Sequence, residues 1–320
     1  MSTTTTTTTT PIHATVSALS GGHLTLPSHL FITPAPPTTR TTVPSLCFLI
    51  RHPTHAPLLF DLGLKRDLTA YAPAQQSHIA SRHPIRTSPD CAASLRRGGL
   101  DPAAVATVLL SHVHWDHVGT PADYPAAVFV VGAGTRAVLR EGCGPHYPAA
   151  IFNPDELPED RTRELPSVPG GGVGGVVAEE EEGRWHGRAW ERLGGLPAAL
   201  DFWGDGSVWV VDAPGHLVGH VNLLVRVGER RWVYLGGDCC HDPRILRGEK
   251  GIALYDDGKG GLRSVHADTE KARGTLDQIR EFLKAKRIGE GEGEVEVEVV
   301  VAHDKEWMEK NGDKFFPGTL

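Results

Sequence analysis

The spacing of apolar and polar positions changes along the chain, and each change marks an element. The runs "LCFLIRH" (46–52) and "PLLFDLGL" (57–64) are apolar at most positions and are split by the breaker "PTHAP". That pattern predicts a hairpin of mostly buried strands. Residues 11–45 are rich in Thr, Pro and His, and "HLTLP" (23–27) within them predicts an early strand followed by an extended loop. Residues 65–100 are polar and proline-containing, with few apolar periods, and read as a surface excursion with short helices. In "DPAAVATVLLSH", Asp101 caps a helical turn with Pro102 at its first position, and "TVLLS" follows as a strand. "AAVFVVG" (126–132) predicts another strand, "AGTRAVLREG" a short helix, and 143–170 a loop. Three strands are then expected in "GSVWVVDAPGH", "HVNLLVRVG" and "RRWVYLGGD". The period lengthens over 268–287, where apolar residues fall at 272, 276, 279 and 283, the stripe of an amphipathic helix packed on a sheet. "EVEVEVVVAHD" (294–304) alternates and then turns wholly apolar, a strand entering the interior. The sum is an α/β sandwich whose sheets lie inside helices.

Composition changes this picture little. With 320 residues, 40% of them hydrophobic, the chain can bury a substantial core. No apolar run approaches the ~20 residues of a membrane helix, so no membrane partner is expected. The start, "MSTTTTTTTT", has neither the basic nor the apolar region of a secretory signal. Residues 1–11 are expected to be a disordered Thr-rich tail and the location cytoplasmic. Residues 12–320 are expected to form one domain, interrupted at about 169–183 by a flexible Gly-rich and then acidic insertion. The net charge of −7 comes largely from "EEEE" (179–182) and "EGEGEVEVE" (290–298). Without those stretches the chain is close to neutral and offers no basic stripe, which argues against a nucleic-acid partner. The five cysteines form no C-x-x-C pair, and they read as free buried thiols.

Candidate chemistry centres on "SHVHWDHVG" (111–119), which follows a predicted strand. In extended or turning backbone, positions i and i+2 project to one side. His112 and His114 can therefore offer nitrogens to one ion, while Asp116 and His117 face a second beside it. Neutral imidazole and carboxylate are donors that zinc and similar divalent ions accept. Three other predicted strands end in the same residue types: "APGHLVGH" carries His216 and His220, "LGGD" carries Asp238, and "VVVAHD" carries His303. The set is large enough for two ions that share one carboxylate and a water.

These ordered motifs resemble the metallo-β-lactamase superfamily over most of residues 40–305. The resemblance implies an αβ/βα sandwich with two divalent ions, Zn²⁺ foremost, at the strand ends on one edge. It implies that His112, His114 and His220 hold the first ion, that Asp116, His117 and His303 hold the second, and that Asp238 bridges them. His216 is then expected to support a ligand from behind, as is Asp61 in "FDLG", and Trp115 to pack over the loop. "SHVHWDHVG", "APGHLVGH" and "GGDCCH" look most like the quorum-quenching N-acyl homoserine lactonases and their fungal relatives. Those enzymes often carry a tyrosine three positions after the bridging aspartate, against the substrate carbonyl. Here His241 stands at that position.

The implied function is a hydrolase that opens a lactone ring by attack of a hydroxide bridging two metals, with Asp116 and His241 as catalytic residues. The substrate class is a small acyl compound, lactone or lactam. The alternatives on the same donors are a γ-lactamase or cyclic carbamate hydrolase and a thioesterase of glyoxalase II type. A non-enzymatic metal-binding protein is the reading from a different class. A nuclease of tRNase Z type would want a basic RNA arm, and a flavin-coupled diiron oxidoreductase would need a further domain beyond residue 304.

Overall fold

The computed structural model describes residues 11–170, 184–289 and 293–320. The expected Thr-rich tail (1–11) lies outside the described residues except for Pro11, and the 169–183 insertion except for Pro169 and Gly170.

Two six-stranded sheets face each other. The first runs in chain order: β1 (Thr15–Pro27), β2 (Arg40–Arg51), β3 (Leu58–Phe60), β4 (Thr107–Leu109), β5 (Val128–Val131) and β6 (Thr162–Glu164). β1, β2 and β3 pair antiparallel, and β3 to β6 pair parallel. The parallel pairs need crossovers, which include α1 (Pro73–Ala80), α2 (Cys91–Arg97) and α3 (Thr135–Glu141). The second sheet holds β7 (Glu191–Leu193), β8 (Leu196–Asp201), β9 (Val208–Asp212), β10 (Val221–Arg226) and β11 (Arg231–Leu235), all antiparallel neighbours. α4 (Pro243–Leu246) and α5 (Thr269–Ala285) then lead to β12 (Glu296–Val300), parallel to β11, and α6 (Lys305–Lys310) follows.

Alternation along the strands divides the core in two. Leu46, Phe48 and Ile50 of the first sheet cluster with Val208, Val210, Leu223, Val225 and Val233 of the second, filling the space between the sheets. The intervening residues, such as Cys47, Leu49, Val211, Leu224 and Tyr234, cluster outward with helix residues including Leu95, Ala272, Leu276 and Ile279. Strands covered on both faces give the near-continuous apolar runs of the sequence. The architecture is the expected αβ/βα sandwich.

Several elements match their expected places. The 46–52/57–64 hairpin forms, with Phe48 opposite Phe60. Asp101 accepts from the Ala103 amide at 3.0 Å and caps a single turn. In α5, Asp268 accepts from Lys271 N at 3.0 Å, and Ala272, Leu276 and Ile279 are buried.

Others differ. The early strand reaches back to Thr15, because Val16 and Ala18 also face the inter-sheet core. Residues 65–100 are less superficial than expected, since Cys91, Ala92 and Leu95 of α2 are buried in the outer core cluster. The loop at 143–170 contains β6, whose "TRE" has no apolar period and is held at the sheet edge by backbone pairing with β5 and by side-chain hydrogen bonds such as Thr162 Oγ1 to Pro158 O at 2.7 Å. Among the described residues, no helix is long and apolar enough to cross a membrane.

Candidate metal centre

Five strand ends meet at one edge of the sandwich. β3 ends at Asp61, in the left-handed region at φ +62°. β4 leads into 111–119, β9 into the turn 213–220, β11 into Gly236–Gly237–Asp238 and β12 into His303. Backbone hydrogen bonds tie these ends together across the two sheets. Val221 N donates to Ser111 O at 2.9 Å, Ala302 N to Gly237 O at 2.9 Å, and Leu46 N to Ala302 O at 2.9 Å. Gly237 has φ +47°, and a Cβ there would come within 2.9 Å of Ser111 Cβ and 3.1 Å of His220 Nε2, so the approach needs glycine.

Three imidazole nitrogens converge in the first donor set. His112 Nε2 and His216 Nε2 each lie 2.9 Å from His114 Nδ1. Asp238 Oδ2 stands 3.4 Å from His216 Nε2 and 3.9 Å from His112 Nε2. Burial is the main force that holds these rings neutral: it carries His112 and His216 well below the usual imidazole range and His114 down to about 3. Neutral rings present lone pairs, and lone pairs aimed at one point suit a cation. Neighbours fix two of the ring orientations: His112 Nδ1 meets Ser111 Oγ at 3.0 Å, and His216 Nδ1 meets His266 Nδ1 at 3.1 Å.

His216 and His220 make different contacts in this structure. His220 Nδ1 donates to Ala213 O at 3.1 Å, and its Nε2 accepts from the Asp238 amide at 3.1 Å. Both nitrogens thus make contacts within the protein. His220 contacts the backbone of Asp238, and the donor atoms of His216 lie close to those of His112, His114 and Asp238.

The second set consists of Asp116, His117 and His303 with the other oxygen of Asp238. Asp238 Oδ1 is 3.3 Å from His117 Nε2 and 3.2 Å from His303 Nε2, and His303 Nε2 is 3.5 Å from Asp116 Oδ2. Asp238 thus turns one oxygen to each set. Support from behind is complete. His117 Nδ1 meets Asp61 Oδ2 at 2.8 Å, and Asp61 also accepts from Ser111 N and Ser111 Oγ, both at 2.7 Å. His303 Nδ1 donates to Pro44 O at 2.8 Å. Burial pulls His117 and His303 down, but the carboxylates overcome it, Asp238 first, and hold both imidazoles above their usual range. Asp238 itself is driven well below the carboxylate range: burial opposes its charge, and His303, His117 and His241 outweigh that burial.

These residues fit a pair of divalent ions. His117 Nε2 and Asp238 Oδ1 are fully buried, face each other and have no hydrogen-bond partner. Such orphaned donors are costly unless something else satisfies them. Imidazole and carboxylate around one point are the donor chemistry that zinc-like ions take.

A cavity of about 560 Å³ opens above both sets, bordered by Phe31, Arg82, His114, Trp115, Tyr147 and His241 among others. His241 Nε2 lies 3.1 Å from Asp238 Oδ2, and its ring is nearly parallel to His303, with centroids 5.6 Å apart. Trp115 packs over the loop as expected, edge-on to Tyr71, whose hydroxyl donates to Trp115 O at 2.7 Å. A larger groove of about 670 Å³ among α4, α5 and α6 includes none of the donor sets and is set aside as the reaction site. His266 was not among the expected residues. It sits alone in "SVHAD", where neither period nor spacing distinguishes it.

The chain is 34% identical over 211 residues to the metallo-hydrolase mfmC of Annulohypoxylon moriforme, covering 64% of this chain and 50% of that one. It is 30% identical over 312 residues to the cytochrome P450 monooxygenase mpaDE of Penicillium brevicompactum, covering 94% of this chain and 34% of that one. The chain thus spans half or less of the length of these two relatives. Among solved structures, a mutant of B. thuringiensis AiiA with N-decanoyl-L-homoserine bound at its active site superimposes with a TM-score of 0.64. It shares 16% identity, over 97% of this chain and all of that one, a likeness of fold. Residues 40–291 match the family model of the metallo-β-lactamase superfamily, and the chain belongs to that superfamily of hydrolases.

Proposed function

We propose that the chain is a dinuclear metal-dependent lactonase. The observation that carries this reading is the pair of donor sets on either side of Asp238, at the floor of a cavity. His112, His114 and His216 would hold one divalent ion, Asp116, His117 and His303 the other, and Asp238 both. Zinc suits the donors. Ions bound there would supply Lewis-acid chemistry, lowering the pKa of water and polarising an acyl oxygen.

The chain's own residues do the rest. Asp116, at the cavity wall, accepts the proton that the attacking water gives up and returns it to the departing ring oxygen. The ring C–O bond breaks as the new C–O bond forms, and a hydroxy acid leaves. His241 steadies Asp238 and presents its ring to the acyl group. Phe31, Trp115 and Tyr147 provide apolar walls that exclude bulk water. The lactonase reading is supported by the AiiA-like fold and the product-like ligand that AiiA holds.

The test is turnover of matched lactones, lactams and thioesters by protein of measured metal content. The expected result is about two ions per chain and lactone hydrolysis that a chelator abolishes. A protein that takes up no metal on reconstitution overturns the dinuclear reading. A lactam or thioester turned over faster than every lactone overturns the substrate class alone.

A further inference from the structure

The cavity holds a charge that the reaction above leaves unused. Arg82 lies on a strap folded against β1. Thr25 N donates to Arg82 O at 2.9 Å, Thr25 Oγ1 to Pro84 O at 2.8 Å, and His23 and Arg86 exchange backbone hydrogen bonds at 2.8 and 2.9 Å. Arg40 clamps the strap from outside through Ser81 O at 2.7 Å and His83 O at 3.1 Å. The backbone of Arg82 is therefore fixed, and its side chain lines the cavity with the guanidinium carbon 5.4 Å from the Phe31 ring centre. The residue is only 8% exposed. Among the described residues no carboxylate pairs with this guanidinium and no acceptor takes a hydrogen bond from it.

A second guanidinium borders the same cavity. Arg263 lies over the Tyr255 ring at 4.9 Å, and its Nε is buried without a partner. The acids that line the cavity are Asp116 and Asp238, both engaged in the donor sets. The wall away from the donors is thus cationic and apolar, with no anion of its own. A guanidinium open to the cavity stays charged, and its planar fork matches a carboxylate.

We propose that the substrate is itself an acid, an acyl compound with a carboxylate remote from the bond that breaks, and that Arg82 receives this carboxylate with Arg263 beside it. The proposal rests on the cavity being the hydrolytic site. It adds a specificity element that the metal donors do not contain, because a neutral acyl lactone leaves Arg82 unpaired.

The experiment compares a γ-lactone carrying a carboxypropyl arm with its methyl ester on metal-loaded protein. Wild type is expected to favour the acid in kcat/KM by about 10–100-fold, the range of a charge-assisted hydrogen-bonded pair. Arg82→Gln should bring the acid-to-ester ratio close to one, and Arg82→Lys should keep part of it. A binding measurement separates this proposal from the lactonase reading. The tetrahydrofuran carrying the same arm has no scissile bond, and its affinity as acid and as ester is read by calorimetry. Turnover of lactones with no preference for the acid overturns the anion proposal and leaves the hydrolase standing. Preferential, Arg82-dependent binding of the tetrahydrofuran acid without lactone turnover supports the anion proposal and overturns the lactonase. A wild type that favours the ester, or an Arg82→Gln variant with an unchanged ratio, overturns the role of Arg82.

Discussion

The two sheets contribute to the donor cluster in different ways. The first sheet delivers His112, His114, Asp116 and His117 from a single loop after β4, with Asp61 and Ser111 packed behind them. The second sheet delivers His216, Asp238 and His303 one at a time, from three separate strand ends. The four donors on one loop are placed together, by its backbone and by the neighbours that hold it, Asp61 on His117 and Ser45 Oγ on Asp116 O. Donors on separate strands are placed by the pairing of β9 to β12, and each depends on neighbours far away in the chain. Accidents in the first group should be local. Those in the second should reach the whole edge of the sheet.

The sharpest test of this contrast is the pair His216→Ala and His220→Ala, four residues apart in one turn. His216→Ala is expected to empty the first donor set of about one ion per chain and to lower kcat/KM by roughly 10²–10⁴-fold. His220→Ala should keep its metal but lose about 1–3 kcal/mol of stability, the cost of a buried Asp238 amide left unpaired. Elemental analysis beside thermal unfolding reads both effects, and metal loss confined to His220→Ala would restore the opposite assignment.

On the first sheet, Asp61→Asn should weaken the second ion by about 10–100-fold, because His117 loses the carboxylate that orients it. Competition with a chelator of known affinity measures this, and an unchanged affinity would show that the loop backbone alone aims His117.

The smallest effect concerns Asp212, the last residue of β9, whose carboxyl is pushed up to about 6 by burial. The folded chain therefore binds this proton more tightly than the unfolded chain, so ionised Asp212 costs stability at neutral pH. Asp212→Asn should gain on the order of 2 kcal/mol at pH 7, with the advantage shrinking as pH falls and gone below about 4. Denaturant melts at pH 7 and pH 4 check the sign, and a gain that persisted at pH 4 would point to packing.

The same contrast explains what could be read without coordinates. "HVHWDH" was legible because four donors share one loop and the type and spacing speak for themselves. Asp238 and His303 were legible because each ends a strongly apolar run. The choice between His216 and His220 was not, since "PGHLVGH" offers both at the same strand end. In the structure the turn, with Gly215 at φ +125° and Gly219 at φ +80°, sets the His216 ring beside His114 and the His220 ring against the Asp238 amide. Arg82 and His266 were invisible for a related reason. Each is a lone polar residue in a loop, and only the strap on β1 carries Arg82 to the cavity and the turn before α5 carries His266 to His216. The edge strands β6 and β7 escaped because they are three residues long and carry charged residues, and β8 because Pro197 interrupts its apolar run.

The position of Asp238 between the sets also bears on mechanical strength. The first set ties the loop after β4 to the turn after β9, and the second ties it to the end of β12, so ions there would act as reversible cross-links between the two halves of the chain. Each link closes a long loop, and loop closure removes more freedom from the unfolded chain than from the folded one. Binding energy at this edge would then become folding energy for the whole sandwich, and the melting temperature would rise with the concentration of free metal.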